Sequence, residues 1–305
     1  MGRHLRRALL FFLSLFWLIV TSNQAPFPEK RAPITTLSPY IPIPPAPPLS
    51  KMEKGTPQFL PESNFTPPKP AKPRPTSPLY YPDHPPYLVI IMDDMAFRWE
   101  TRQIQKLGLL LIPSFFPPTP RHPETPKLAR QFQFYMVHLP LEAKGYPTPE
   151  EGTLKVTDPY LKIRERIHQL KLLFPRARFY NNHTGSTFTK NLPAMEKLFR
   201  GLKFYGLGFI DSRTTPDTKG AIVAERYKIP FYQRRVFLDN VRNVGEILKN
   251  YQRALKIAQR EGFAIVICHP TKATFSFFKK YREYIQDTAN LIPPEKLKEI
   301  SPTLK

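Results

Sequence analysis

A single cysteine, Cys268, occurs in 305 residues. No intramolecular disulfide can form, so stability must come from a packed core even in an oxidising compartment. Acidic residues are also scarce: 24 Asp and Glu face 46 Lys and Arg, a formal net charge of +22. Ten Lys/Arg and four Asp/Glu lie up to Pro86, so +6 of that excess belongs there and +16 to residues 87–305. Such a balance fits an anionic neighbour such as phospholipid headgroups or acidic glycan, with solvated Lys/Arg faces as the plain alternative. Nucleic acid is the other usual partner of a basic chain, but no recognisable binding module is present and none is expected as a partner. A long hydrophobic run is missing as well. The apolar stretch Ala8–Val20 has 13 residues and rises only about 20 Å as a helix, short of the roughly 30 Å hydrocarbon core of a bilayer. There is no internal repeat.

What is present divides into three parts. Arg3, Arg6 and Arg7 precede the apolar run, and a basic n-region before a short apolar core is the pattern of a secretory signal. Residues 1–22 are therefore expected to be a signal peptide or signal anchor. No clear A-x-A site decides between cleavage and retention. A periplasmic or extracytoplasmic location follows, anchored in the inner membrane through the N-terminal segment or secreted. Residues 23–86 hold twenty of the 38 prolines. Proline fixes φ and removes a backbone donor, so this stretch is expected to be an extended tether at about 3.1 Å per residue. From Tyr87 the pattern changes, and residues 87–305 are expected to form one domain.

Within that domain short apolar runs alternate with amphipathic segments. Strands are predicted at Tyr87–Met92, Leu109–Phe115, Phe134–Leu139, Arg178–Asn181, Gly206–Ile210, Val236–Leu238 and Phe263–Cys268. Helices are predicted at Asp158–Phe174, Leu192–Lys203 and Val241–Glu261; in the last, Val244, Ile247, Leu248, Tyr251, Leu255 and Ala258 share one face at 3.6-residue spacing. Alternation of this kind implies an α/β fold with a parallel sheet, open or closed into a barrel.

Polar residues gather where the strands end. Asp93-Asp94 follows the first, His138 to Glu142 the third, Asn181 to Ser186 the fourth, Asp211 to Thr214 the fifth, Asp239-Asn240 the sixth and His269-Pro270 the last. Parallel strands bring their carboxyl ends to one rim, where sites are built. Of seven histidines, only His138, His183 and His269 sit at strand ends. An Asp pair and three histidines on one rim suit a divalent metal, because imidazole and carboxylate are good ligands for zinc and similar ions. Each piece alone has a structural explanation. Asp93-Asp94 can form a turn and helix cap, Asp211 can pair with Arg213, and Asp239-Asn240 can cap the helix that follows. Their joint occurrence is what those explanations leave over. Cys268 is expected to point away from His269, into the core, because side chains alternate along a strand.

Six ordered motifs carry a family resemblance: Ile91-Met92-Asp93-Asp94, Val137-His138-Leu139-Pro140-Leu141-Glu142, Asn181-Asn182-His183-Thr184-Gly185-Ser186, Asp211-Ser212-Arg213-Thr214, Phe237-Leu238-Asp239-Asn240 and His269-Pro270. Residues 87–290 resemble the divergent polysaccharide deacetylases, relatives of the chitin and peptidoglycan deacetylases. The resemblance implies an irregular seven-stranded (β/α) barrel and metal-dependent removal of acetyl groups from a cell-envelope carbohydrate. Carried over from the main branch, it makes Asp93 the catalytic base, Asp94 a metal ligand and His269 the acid. Where that branch has His-x-x-x-His, this chain has His138 and Glu142, and His183 is expected to complete a first shell of Asp94, His138 and His183 around zinc. Glu142, Asn182, Asp211, Arg213 and Asp239 are expected to support the rim. Ala96 and Cys268 stand where the family commonly has glycine, which crowds the backbone beside the site. An altered ligand set also fits a second reading, a glycan-binding or scaffold protein of the envelope without turnover.

Overall fold

The computed structural model describes residues 84–300. The expected signal segment, 1–22, and nearly all of the expected tether, 23–86, lie outside the described residues. In chain order the elements are β1 (Tyr87–Met95), α1 (Arg98–Leu107), β2 (Ile112–Phe115), α2 (Thr125–Ala129), β3 (Met136–Leu141), α3 (Tyr160–Leu173), β4 (Phe179–Thr184), α4 (Leu192–Phe204), β5 (Gly208–Asp211), α5 (Gly220–Tyr227), β6 (Phe231–Gln233), β7 (Val236–Phe237), α6 (Val244–Glu261), β8 (Phe263–Cys268), α7 (Lys272–Lys280), α8 (Arg282–Thr288), β9 (Asn290–Leu291), a 3-10 turn (Pro294–Lys296) and α9 (Leu297–Ile300). None of the described helices is long and apolar enough to cross a membrane.

All strands run parallel, in the order β6-β5-β4-β3-β2-β1-β8-β7. β1 lies near the middle, and Leu88 to Met92 are buried on both faces, as expected of a parallel strand covered on each side. Among the described residues the sheet curls without closing by backbone pairing: β6 bonds only β5, and β7 bonds only β8. The chain crosses this seam in two residues, with the Arg234 N–H donating to the Asp211 carbonyl and the Arg235 N–H to that of Ile265. Inside the seam the Tyr232 ring lies 5.9 Å from Phe179 and 6.0 Å from Phe263. The fold is the irregular α/β barrel expected, with nine strands among the described residues rather than seven. The two extra strands are short, β6 with three residues and β9 with two, and carry too few residues to show a period of two.

Side chains alternate between two cores. Leu88, Ile90 and Met92 of β1, Val137, Leu139 and Leu141 of β3, and Ala264, Val266 and Cys268 of β8 pack outward against the helices. Val89, Ile91, Ile112, Met136, Phe179, Ile210, Ile265 and Ile267 face inward and fill the barrel. Cys268 is fully buried in the outer core, away from His269. The base is closed by the C-terminal segment, where β9 pairs the start of β1 and Leu297 packs into the inner core.

Asn243 starts α6 by accepting the N–H groups of Gly245 and Glu246, and Gly262 ends it at φ 87°, a left-handed backbone that glycine adopts without steric cost. The inner face of this helix is Ile247, Tyr251, Ala254, Leu255 and Ala258.

Candidate metal centre

One inward-facing position above the inner apolar layer, the same alternation turns polar. Asp93, Ser114, His138, Asn181 and His269 each lie two positions beyond an inward apolar residue, respectively Ile91, Ile112, Met136, Phe179 and Ile267. Ser212 stands likewise after Ile210. The carboxyl ends of the strands thus carry a polar layer on an apolar floor.

β1 places two carboxylates in that layer. Its register against β2 shifts between Met92 and Met95, where three steps on β1 face two on β2. Asp94 sits in this bulge at φ 57°, in the left-handed region that aspartate tolerates better than most residues. The extra residue lets Asp93 and Asp94 both turn inward while Met95 returns to the outer core. Left-handed backbone recurs on the rim at Thr184 (φ 52°) and Arg213 (φ 51°). For a β-branched residue such as Thr184 this conformation is strained, and its hydroxyl is tied to the Leu141 carbonyl at 2.8 Å.

Three donor atoms converge. The Asp94 Oδ1 lies 3.1 Å from His138 Nε2 and 3.2 Å from His183 Nδ1, and the two nitrogens are 3.2 Å apart. A tetrahedral ion with bonds of about 2.0–2.1 Å holds its ligands about 3.3 Å from one another, so the triangle fits zinc. The Asp94 Oδ1 is buried yet makes no aligned hydrogen bond, as suits a ligand atom. Two imidazoles and a carboxylate are also the chemistry that such an ion takes, with a fourth position left over. Asp94, His138 and His183 therefore fit a divalent metal.

Asn181 wires this triangle to Asp93. Its Oδ1 accepts from Ser114 Oγ at 2.6 Å and lies 3.2 Å from His138 Nδ1, while its Nδ2 donates to Asp93 Oδ1 at 2.8 Å and Ser212 Oγ at 3.2 Å. With Oδ1 as the acceptor, His138 carries its proton on Nδ1 and turns the Nε2 lone pair to the triangle. Asp93 is buried, 3.6 Å from His138 Nδ1. Burial raises its pKa, with His138, His269 and the Asn181 amide only partly opposing. Burial raises Asp94 as well, but the two imidazoles outweigh it and hold that carboxyl far below its ordinary value. His138 is disfavoured as a cation by burial, yet Asp93 and Asp94 shift it upward.

On the far side His269 and Asp239 form a dyad. The Asp239 Oδ1 lies 3.0 Å from His269 Nδ1, and Oδ2 accepts the His269 N–H at 2.7 Å and the Thr274 hydroxyl at 2.8 Å. Burial works against the charged ring, but the bond to Asp239 and its charge push the His269 pKa up to about 9. The Phe237 ring stacks beneath His269 at 5.9 Å, and the Arg234 guanidinium sits 3.7 Å over Phe237.

The expected rim residues have different tasks. Glu142 is not among the donors: its Oε2 accepts the Val156 N–H at 2.8 Å and pins the loop that follows β3. Asn182 faces the opposite way from Asn181 and His183, bonding the Ser212 N–H and the Thr184 carbonyl. Asp211 is also outside the layer. Its carboxylate accepts from the Arg213 N–H and Thr218 hydroxyl, bracing the turn toward α5. Arg213 contributes its carbonyl to Arg234. Ser114 was not expected, and Asn181 and Ser212 stood in the strand-end clusters without an assigned task. The signal was available in the alternation, because Asn181 shares a face with His183.

Aromatic rings surround the triangle. Phe116 lies 5.3 Å from His138 and 4.8 Å from His183, His122 stacks on Phe116, and Phe97 meets His122 edge-on. The Tyr146 ring lies 6.0 Å from that of His183, edge-on.

A family model described as divergent polysaccharide deacetylase matches residues 90–298. The chain belongs to this family. Among its relatives is the uncharacterised protein YibQ of Escherichia coli K12, 30% identical over 189 residues, a match spanning 61% of this chain and 59% of that one. An uncharacterised protein of Haemophilus influenzae is 24% identical over 194 residues, covering 62% and 68% of the two chains. The crystal structure of an uncharacterised protein from Agrobacterium tumefaciens C58 superposes with a TM-score of 0.62 at 21% identity, covering 70% of this chain and 89% of the other, and shows the same fold. All six motifs lie within the matched residues.

Proposed function

We propose that this divergent polysaccharide deacetylase domain is a metal-dependent hydrolase that removes acetyl groups from an envelope carbohydrate. The observation that carries the reading is the shared polar layer, in which a donor triangle stands between a buried carboxylate and a histidine–aspartate dyad. Asp94, His138 and His183 would hold the ion. A divalent cation there supplies polarisation of a carbonyl oxygen and a water acidified toward neutrality. Asp93 is suited to accept a proton, since burial raises its basicity and Asn181 fixes one oxygen, leaving the other for the attacking water. His269 carries a proton at neutral pH, and with Nδ1 committed to Asp239 it presents Nε2 to a departing nitrogen. Asp239 holds that orientation and stabilises the imidazolium.

The basic start and apolar run of residues 1–22 support export, with the domain reaching an envelope substrate on its proline-rich tether. A reporter active only outside the cytoplasm, fused after Lys305, is expected to be active; activity of a cytoplasm-only reporter would reverse the localisation.

The site is tested by metal analysis together with acetate release from N-acetylated envelope glycan. His183→Ala should lower metal content by removing one of three ligands. Asp93→Asn should keep the metal and abolish acetate release. Full metal content in His183→Ala, or turnover in Asp93→Asn, would refute the assignment. Tight glycan binding without acetate release from the metal-loaded protein would favour the binding or scaffold reading, which the Glu142 departure motivates.

A further inference from the structure

Because all strands run parallel, each of α1 to α6 returns against the strand before it and ends beside the start of the next. The base of the barrel, opposite the donor triangle, is therefore built of helix C-termini and the short connections after them. Charge divides unevenly between the two ends. The last four residues of these helices and the connections that follow (104–111, 126–135, 170–178, 201–207, 224–230 and 258–262) hold ten Lys/Arg and two Asp/Glu. On the rim, the connections that leave the strands (96–97, 116–124, 142–159, 185–191, 212–219, 238–243 and 269–271) hold seven of each. α7 leaves the rim in the same sense and ends on Lys279 and Lys280. A cation in a last turn offsets the helix dipole, but six dipoles bring only about three negative charges, against a net eight positive from those residues. Lys106, Arg130, Lys203 and Lys228 are exposed and reach no carboxylate among the described residues.

The same end exposes apolar surface. Leu172, in the last turn of α3, is 64% exposed, and Phe204, the last residue of α4, is 67% exposed. Tyr205 joins them: its ring meets Phe204 at 4.9 Å and stacks at 5.6 Å on His168, one turn before Leu172. Lys171 and Lys203 adjoin Leu172 and Phe204 in the chain. Cations beside exposed apolar side chains match a phospholipid surface, where headgroups take the charge and the acyl boundary takes leucine and phenylalanine. Duplex nucleic acid would use the cations and leave Leu172 and Phe204 in water. The chain also enters the domain at this end, where the Pro85 and Pro86 carbonyls accept from Asn290 and β1 begins at Tyr87. We infer that the base of the barrel docks on an anionic phospholipid surface, through its cations and the Leu172–Phe204 patch, and holds the donor triangle facing away from the bilayer. This docking does not depend on whether the rim turns over a substrate.

Cys268 is buried, so a cysteine placed on the surface is the thiol that a maleimide reaches in the native protein. An environment-sensitive fluorophore goes on Phe204→Cys at the base, or on Lys190→Cys at the exposed rim, in the full chain. Vesicles of equimolar phosphatidylglycerol and phosphatidylcholine should shift the label at 204 to the blue and leave the label at 190 unmoved. Phosphatidylcholine alone should move neither, and high salt should reverse the shift. Each cation near an anionic surface contributes about fivefold. Changing Lys106, Arg130, Lys203 and Lys228 together to Gln should therefore raise the lipid needed for half the shift about tenfold or more, with Tm unchanged. Leu172→Ser, which leaves every charge in place, should raise it about threefold or more. No shift at 204, an equal shift at 190, an equal shift with phosphatidylcholine alone, or an undiminished shift in both variants would each overturn the inference. Duplex DNA that moves the label at 204 as far at the same salt would overturn it too, by assigning the base to polyanions at large.

Discussion

Replacing Asn181 with alanine cuts four buried contacts at once. Ser114 Oγ, Ser212 Oγ and His138 Nδ1 lose their partner, and Asp93 loses its amide donor. An orphaned buried polar group costs about 1–3 kcal/mol. Water entering the vacated space would re-satisfy some of the four, so about 3–5 kcal/mol of lost stability is expected. For a domain of this size each kcal/mol moves Tm by about 2–4 °C, which gives a fall of roughly 10 °C. The loss should extend to the metal, because His138 would no longer be held in the tautomer and rotation that aim Nε2 at the triangle. Loss of an outer-shell partner of this kind lowers affinity about 10–100-fold. Thermal unfolding and competition against a chromophoric chelator measure the two effects. Asn181→Asp separates them: it keeps an acceptor for His138 and Ser114 but puts a second carboxylate where the amide donates to Asp93. That variant should bind metal better than the alanine form and still release no acetate. Metal affinity within about twofold of the parent and an unchanged Tm in Asn181→Ala would refute the wiring.

Asp239→Asn should bring the His269 pKa down from about 9 toward the ordinary histidine value, so the alkaline edge of activity moves to lower pH; an unmoved edge in a pH–rate profile would exclude His269 as the acid. The sign for stability follows from the same shift. A folded pKa above the unfolded one stabilises the protein below about pH 6.5, and the contribution is lost as pH rises through about 9; in Asp239→Asn, thermal unfolding should lose this dependence. Burial raises the Cys268 thiol well above its usual range, so alkylation should be slow in the native protein and fast in denaturant; rapid native labelling would contradict its place in the outer core. Leu297→Ala opens the plugged base of the barrel and should cost about 2–5 kcal/mol, read as a lower denaturant midpoint with metal content retained.

The parts of the fold legible in the sequence were those with strong periods. β8 was read to the residue and α6 to within three, because the first is a pure apolar run and the second keeps one apolar face for five turns. α1 was missed. Its buried face is Glu100, Thr101, Ile104 and Leu107, half polar, and Glu100 is turned back to accept the Ala96 and Phe97 N–H groups. β1 was expected to end at Met92 and runs on through the bulge to Met95, since a pattern of alternation does not announce an inserted residue. The residues of the donor triangle were legible because three of the seven histidines fall at strand ends, where the topology gathers chemistry. Asn181 was not, although quoted within a motif, because an asparagine at a strand end reads as turn chemistry until its face is known. Glu142 sits at the ligand spacing of the main branch, but the chain leaves β3 there and its carboxylate meets a backbone amide first.

The bulge in β1 makes the chemistry depend on a count. Losing one residue between Met92 and Met95 would restore a regular strand, still paired with β2 and β8 and still apolar on both faces. The residues between those methionines are Asp93 and Asp94 themselves, so one of the two carboxylates would be gone while the other kept the inward position. The smallest in-frame deletion at this point thus disarms the centre while leaving nearly every core contact intact, and the smallest insertion restores it. In a lineage built on this barrel, the carboxylate pair and its loss are neighbours in sequence space, and a folded descendant without the pair lies one event away.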